Sequence, residues 1–109
     1  MKCTNEIEAG ICGHITKVIA DSPDEQMVTL AMETDCKKIV ALAEALKGIT
    51  IDGYAEVGAG FEGVVLTAAR QQLSGCCAGC VVPAGLFKAV QVAARVALPK
   101  DISMTMQVE

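Results

Sequence analysis

GCCAGCVVPAGLFKAVQVAARVA, residues 75–97, is the stretch that decides the fold. Pro83 suits the first turn of a helix, where its fixed φ is already helical and its missing N–H has no partner to lose. Behind it Lys88, Gln91 and Arg95 recur at spacings of three and four, which marks one narrow polar stripe. A helix polar on so little of its surface must be packed on most sides. Ala84, Gly85, Ala89, Ala93, Ala94 and Ala97 let those neighbours come close. The spacing predicts a central helix over residues 83–98, ended by Pro99. Just ahead of it stand Cys76, Cys77 and Cys80. Cys80 falls at the helix start, where unpaired N–H groups and the macrodipole favour a thiolate.

Outward from that helix, the N-terminal third reads as sheet. Residues 6–20 form a strand interrupted at Gly10 or Gly13, with Ile7, Ala9 and Ile11 alternating against Glu6 and Glu8, and Ile15, Val18 and Ile19 continuing it. Residues 21–25, Asp-Ser-Pro-Asp-Glu, are a turn. Residues 27–34 form a second strand, Val28, Leu30 and Met32 on one face, Thr29 and Glu33 on the other. The two make an antiparallel hairpin.

Thr34-Asp35 then supplies cap chemistry for a helix over residues 36–46, its buried stripe being Ile39, Val40, Leu42, Ala43 and Leu46. Lys47-Gly48 ends it. Residues 49–57 hold a short strand broken by Asp52-Gly53, and Gly58-Ala59-Gly60 is loop. Residues 61–73 suit a helix with Val64, Val65, Leu66, Ala68, Ala69 and Leu73 inward. Last, Ile102, Met104, Met106 and Val108 alternate with Ser103, Thr105 and Gln107, a one-sided strand expected to join the sheet. Cys3 is expected in a frayed terminus. The order ββα(β)ααβ predicts a single α+β domain over residues 1–109. It is a mainly antiparallel sheet of three to four strands with about three helices on one face.

With 109 residues, 52% of them hydrophobic, the chain can bury one real core, and without Trp and with only three aromatic residues that core must be aliphatic. A net charge of −4 and the lack of a Lys/Arg cluster argue against nucleic acid and anionic membranes. No apolar run reaches the length of a membrane span, and Met1-Lys2-Cys3-Thr4-Asn5-Glu6 does not read as a signal peptide. The expected setting is the cytoplasm. In that reducing compartment six cysteines are buried thiols, metal ligands or redox centres rather than disulfides.

Cys12 lies in Ile11-Cys12-Gly13-His14, and Cys36 follows the second strand and opens a helix, as Cys80 does. Antiparallel pairing brings the start of one strand beside the end of the next, so Cys12 and Cys36 can meet at one end of the sheet. The last helix can deliver Cys80 to the same end. Three converging thiolates, with His14, Cys76 or Cys77 as a fourth ligand, fit zinc or an iron–sulfur cluster. A different chemistry uses Cys77 and Cys80 as a C-x-x-C pair for thiol exchange or sulfur transfer. No Ser/His/Asp or paired-carboxylate set stands out, and a single histidine leaves little acid–base chemistry near neutral pH, so a binding protein fits better than an enzyme.

Cys12, Cys36 and Cys80, spaced 24 and 44 residues apart, form a layout that resembles the U-type iron–sulfur scaffold proteins. In that family three cysteines and an acidic residue hold a nascent [2Fe–2S] cluster made with sulfur from a cysteine desulfurase. The resemblance therefore implies a sulfur donor and a cluster acceptor as partners. Here His14 stands where the family has Asp, and Cys76 and Cys77 stand where it has Leu-Pro-Pro-Val. Separately, Cys12-Gly13, Thr34-Asp35-Cys36, Cys80-Val81-Val82-Pro83-Ala84-Gly85 with Lys88, and Ala97-Leu98-Pro99-Lys100-Asp101 resemble a small family of uncharacterised single-domain proteins from anaerobic bacteria and methanogens. That resemblance spans nearly the whole chain and implies an oxygen-poor setting.

Overall fold

The computed structural model describes residues 1–76 and 79–109. Alternation builds the sheet. β1 (Lys2–Glu8) pairs with β2 (Ile15–Asp21), β2 with β3 (Met27–Thr34), and β3 with the two-residue β4 (Ile51–Asp52), all antiparallel and in that spatial order. Ile7, Val18, Ala20 and Val28 turn inward, while Glu6, Lys17, Thr29 and Glu33 face solvent. The two faces of β3 are divided as its alternation predicts. β2 is not: Thr16, Val18 and Ala20 point inward, and Ile15 is half exposed. One residue of parity exchanges the faces of a strand, and β-branched residues at both parities left it open. The expected single strand over residues 6–20 is two strands, because a turn at residues 9–14 reverses the chain. Ala9 N–H donates to His14 O (3.1 Å) and Gly13 N–H to Gly10 O (2.9 Å), with both glycines at positive φ. Ile11 is fully exposed at its tip.

Helices cover the inner face. α1 (Lys37–Leu46) buries Ile39, Leu42 and Leu46, whereas Val40 stays half exposed. The predicted break at Asp52-Gly53 is a helix start instead. Asp52 accepts from Tyr54 N–H (3.0 Å) and Ala55 N–H (3.1 Å) and thereby caps α2 (Gly53–Ala59). These bonds hold its carboxyl below the ordinary value. A 3-10 turn (Gly60–Glu62) leads into α3 (Val64–Gln72), which buries Val65 and Ala69 but leaves Val64 half exposed.

α4 (Val82–Ala93) is the central helix, with Val82, Leu86, Ala89, Val90 and Ala93 in the core. Pro83 stands in its first turn, as expected. It stops five residues short of the predicted end. Val96 N–H donates to Gln91 O and Arg95 N–H to Val92 O while Arg95 turns left-handed, the double bond of a Schellman cap. The Arg95 guanidinium lies 3.4 Å from the Glu25 carboxylate.

α4 meets β1 at Gly85, where a Cβ would lie 2.5 Å from Ile7 Cδ1 and 3.2 Å from Asn5 Nδ2; Asn5 also donates to Gly85 O (2.9 Å). Gly85→Ala is expected to cost about 1–3 kcal/mol in overpacking, against a gain of about 1 kcal/mol in helix propensity. A lowered urea midpoint should show the net loss, and an unchanged or raised one would mean that Ile7 repacks freely.

Two further expectations fail. Residues 101–109 form no strand; Ile102, Met104, Met106 and Val108 are all exposed. The alternation is real, but among the described residues no edge pairs with it, and ladder bonds make a strand. Cys3, in contrast, is not frayed. It sits in β1 opposite Ala20, packs against the core, and its burial pushes the thiol pKa up.

Candidate functional site: the thiol end of the sheet

The register of β2 on β3 creates the site. Thr16 lies opposite Thr34, and their hydroxyls share a hydrogen bond of 3.0 Å. That pins the turn carrying Cys12 and His14 beside the segment carrying Asp35 and Cys36. His14 Nδ1 is 2.9 Å from Asp35 Oδ1. Asp35 was expected as a helix cap, but the N-cap residue of α1 is Cys36, whose N–H donates to Thr34 Oγ1 (3.2 Å). In the neutral tautomer that donates Nδ1–H to Asp35, Nε2 carries the lone pair, the arrangement in which a carboxylate orients a histidine ligand.

Cys36 and Cys80 are half-buried and packed on the core, whereas Cys12 and Cys76 are exposed. Cys77, expected as a ligand or as the partner of Cys80, lies outside the described residues. The Cys80 thiol is raised above its ordinary pKa, first by burial, then by the charges of Cys76, Cys12 and Cys36; a bond from the Val82 backbone N–H opposes this. Four cysteines from three separate segments, Cys76 and Cys80 sharing the α3–α4 connection, are thus within electrostatic reach at one end of the fold. They are gathered without being closed up. Among the described residues, no three His, Cys, Asp or Glu side chains are near enough to share a metal ion. The electrostatic reach spans a longer distance than coordination does, so the two observations agree on a loose thiol cluster. Gly10 and Gly13, each at positive φ, flank the turn that holds Cys12, an exposed corner of the cluster.

Sequence reasoning missed Glu56. Its carboxylate is 4% exposed and accepts from Val64 N–H (2.9 Å) and Val65 N–H (2.8 Å), anchoring the start of α3 from α2. Gly63 makes room for it, since a Cβ there would lie 2.5 Å from Glu56 Oε2. The only local signal was Asp52 as an N-cap ahead of helix-permitting Tyr54-Ala55-Glu56.

Residues 3–106 match the model of a family of unknown function, DUF6951. The chain belongs to this family. The match spans nearly the whole chain. No curated protein and no solved structure matches it. Among its described residues no helix is long and apolar enough to cross a membrane.

Proposed function

We propose that this DUF6951 protein binds an iron–sulfur cluster or a zinc ion through Cys12, Cys36 and Cys80, with Cys76, Cys77 or His14 completing the site, and serves as a cluster scaffold or carrier. The observation that carries the reading is the β2–β3 register, which sets the turn of Cys12 beside Cys36, while Cys80, packed on the same core as Cys36, feels the charges of both and of Cys76. Thiolates with no ion between them repel, which is the sense of that effect; a bound cation reverses it. An exposed Cys12 on a glycine-flanked turn gives the site an open corner, which suits cargo that is loaded and released. In this reading a sulfur donor and a cluster acceptor are the protein partners, as in the U-type scaffolds. The oxygen-poor cytoplasm of an anaerobe protects the cluster.

The raised pKa of Cys80 disfavours the thiol-exchange reading, because the attacking species is the thiolate. Anaerobic reconstitution with iron and sulfide, and separately with zinc, tests the proposal. Expected are visible sulfur-to-iron charge-transfer absorbance or one tightly held zinc per chain, with the thiols protected from alkylation until a chelator is added. A colourless, metal-free product would sink it. One fast-alkylating cysteine at neutral pH would favour thiol exchange.

A further inference from the structure

An apolar groove of about 880 Å³ runs along the outer side of α4, walled by Phe61, Leu66, Leu73, Pro83, Ala84 and Phe87. Arg70 and Lys88 line it, and among the described residues no carboxylate does. This holds in a chain with 13 acidic and 9 basic residues. A helix with so narrow a polar stripe has one face still uncovered. The same chain carries an apolar strand without a sheet. Residues 101–109 are exposed throughout, with Met104 at 72%, Met106 at 86% and Val108 at 97%.

We propose that the groove and the arm are partners across a homodimer: each copy lays residues 101–109 along the α4 groove of the other. The chemistry matches on three counts. Met104, Met106 and Val108 share one face of an extended chain and would meet the apolar walls. Asp101 or Glu109 would bring a carboxylate to Lys88, whereas Arg70 already pairs with Glu62 (3.8 Å). An arm of nine extended residues is about 30 Å long and about 10 Å wide. Two arms with the surfaces they cover bury about 1,200 Å², the lower bound for a stable interface.

The occupant is a second copy rather than the chain's own arm. Of the chain's own arm only Ile102 lines the groove, and the residues after it, with Met104, Met106 and Val108 among them, stay exposed and leave the groove open to another copy's arm. The molecule measures 45 × 27 × 24 Å, its long axis well beyond the other two. Exchange of both arms is isologous and closes at two copies. Cys76 and Cys80 line the same groove, so the arm would lie against part of the thiol cluster; a dimer seen in chelator, with no metal bound, separates this proposal from the metal reading.

Sedimentation of the full chain, with reductant and chelator to exclude disulfide and metal bridges, tests it. From about 1 µM to about 1 mM the mass should rise from 11.3 kDa toward twice that value. Met104→Asp with Met106→Asp in the arm, and Ala84→Glu with Lys88→Glu in the groove, should each weaken the dimer about tenfold or more. Circular dichroism should be unchanged, since none of these side chains lies in the core. Mixing the two variants pairs one intact arm with one intact groove and should restore a heavier species. A wild type that stays at 11.3 kDa overturns the proposal, as does a dimer that survives the arm substitutions. So does one broken by the arm substitutions but untouched by those in the groove.

Discussion

Cys80→Ser is expected to reduce anaerobically reconstituted metal to background, with affinity lost by more than about 100-fold. Losing an outer-shell partner of a metal ligand costs about 10–100-fold, and losing the ligand itself costs more. Cys80 is the site's fixed corner: it is packed on the core at the start of α4 and near enough to the other thiols to feel their charges. Cys36→Ser should be comparably damaging, since Cys36 is also core-packed. Cys3→Ser is the control. It changes a cysteine just as buried but on β1 and outside the thiol cluster, and it should leave metal content unchanged. The pH dependence has a definite sign. A raised pKa means that the free protein holds Cys80 protonated through neutral pH, so the metal must displace that proton. Binding should therefore tighten as pH rises from about 6 to about 9 in the wild type. Equal metal content in wild type, Cys80→Ser and Cys36→Ser would end the thiolate reading.

Glu56→Ala is expected to destabilise the fold by about 2–3 kcal/mol, the cost of leaving a helix start without its capping carboxylate. The carboxylate bonds two N–H groups at the start of α3; its removal leaves the buried Val65 donor without a partner and the part-buried Val64 donor to water. For a chain of this size each kcal/mol moves Tm by about 4–8 °C, so the melting point should fall by about 8–24 °C. Glu56→Gln keeps one acceptor but turns an NH2 toward the second donor, and should lose about half as much. A drop of only a few degrees for Glu56→Ala would show that α3 finds another cap.

How much of this was legible in the chain depended on the range of the interaction. The inward face of β3, the start of α4 at Pro83 and the inward residues of α1 other than Val40 and Ala43 follow from local rules of alternation, proline geometry and helical period. The end of α4 was not legible, because the left-handed cap residue is Arg95 and not a glycine. Its partner Glu25 lies 70 residues away. α2 was hidden for a similar reason. Asp52-Gly53 reads as a turn until Gly53 N–H is seen bonded to Gln26 O (2.8 Å) and Asp52 to Gln26 Nε2 (3.1 Å).

By itself the sequence determined the α+β class, the aliphatic core, the hairpin and the cysteine layout, since each is a matter of residue type and short spacing. Only the tertiary structure decided which cysteines gather. Cys3 is tied into β1, Cys12 rides on a turn, and Cys36 and Cys80 are set against the core by helices that start beside them. It also decided that residues 101–109, strand-like in every local respect, lie unpaired in their own chain. A strand is completed by the edge beside it, and no local pattern specifies that edge.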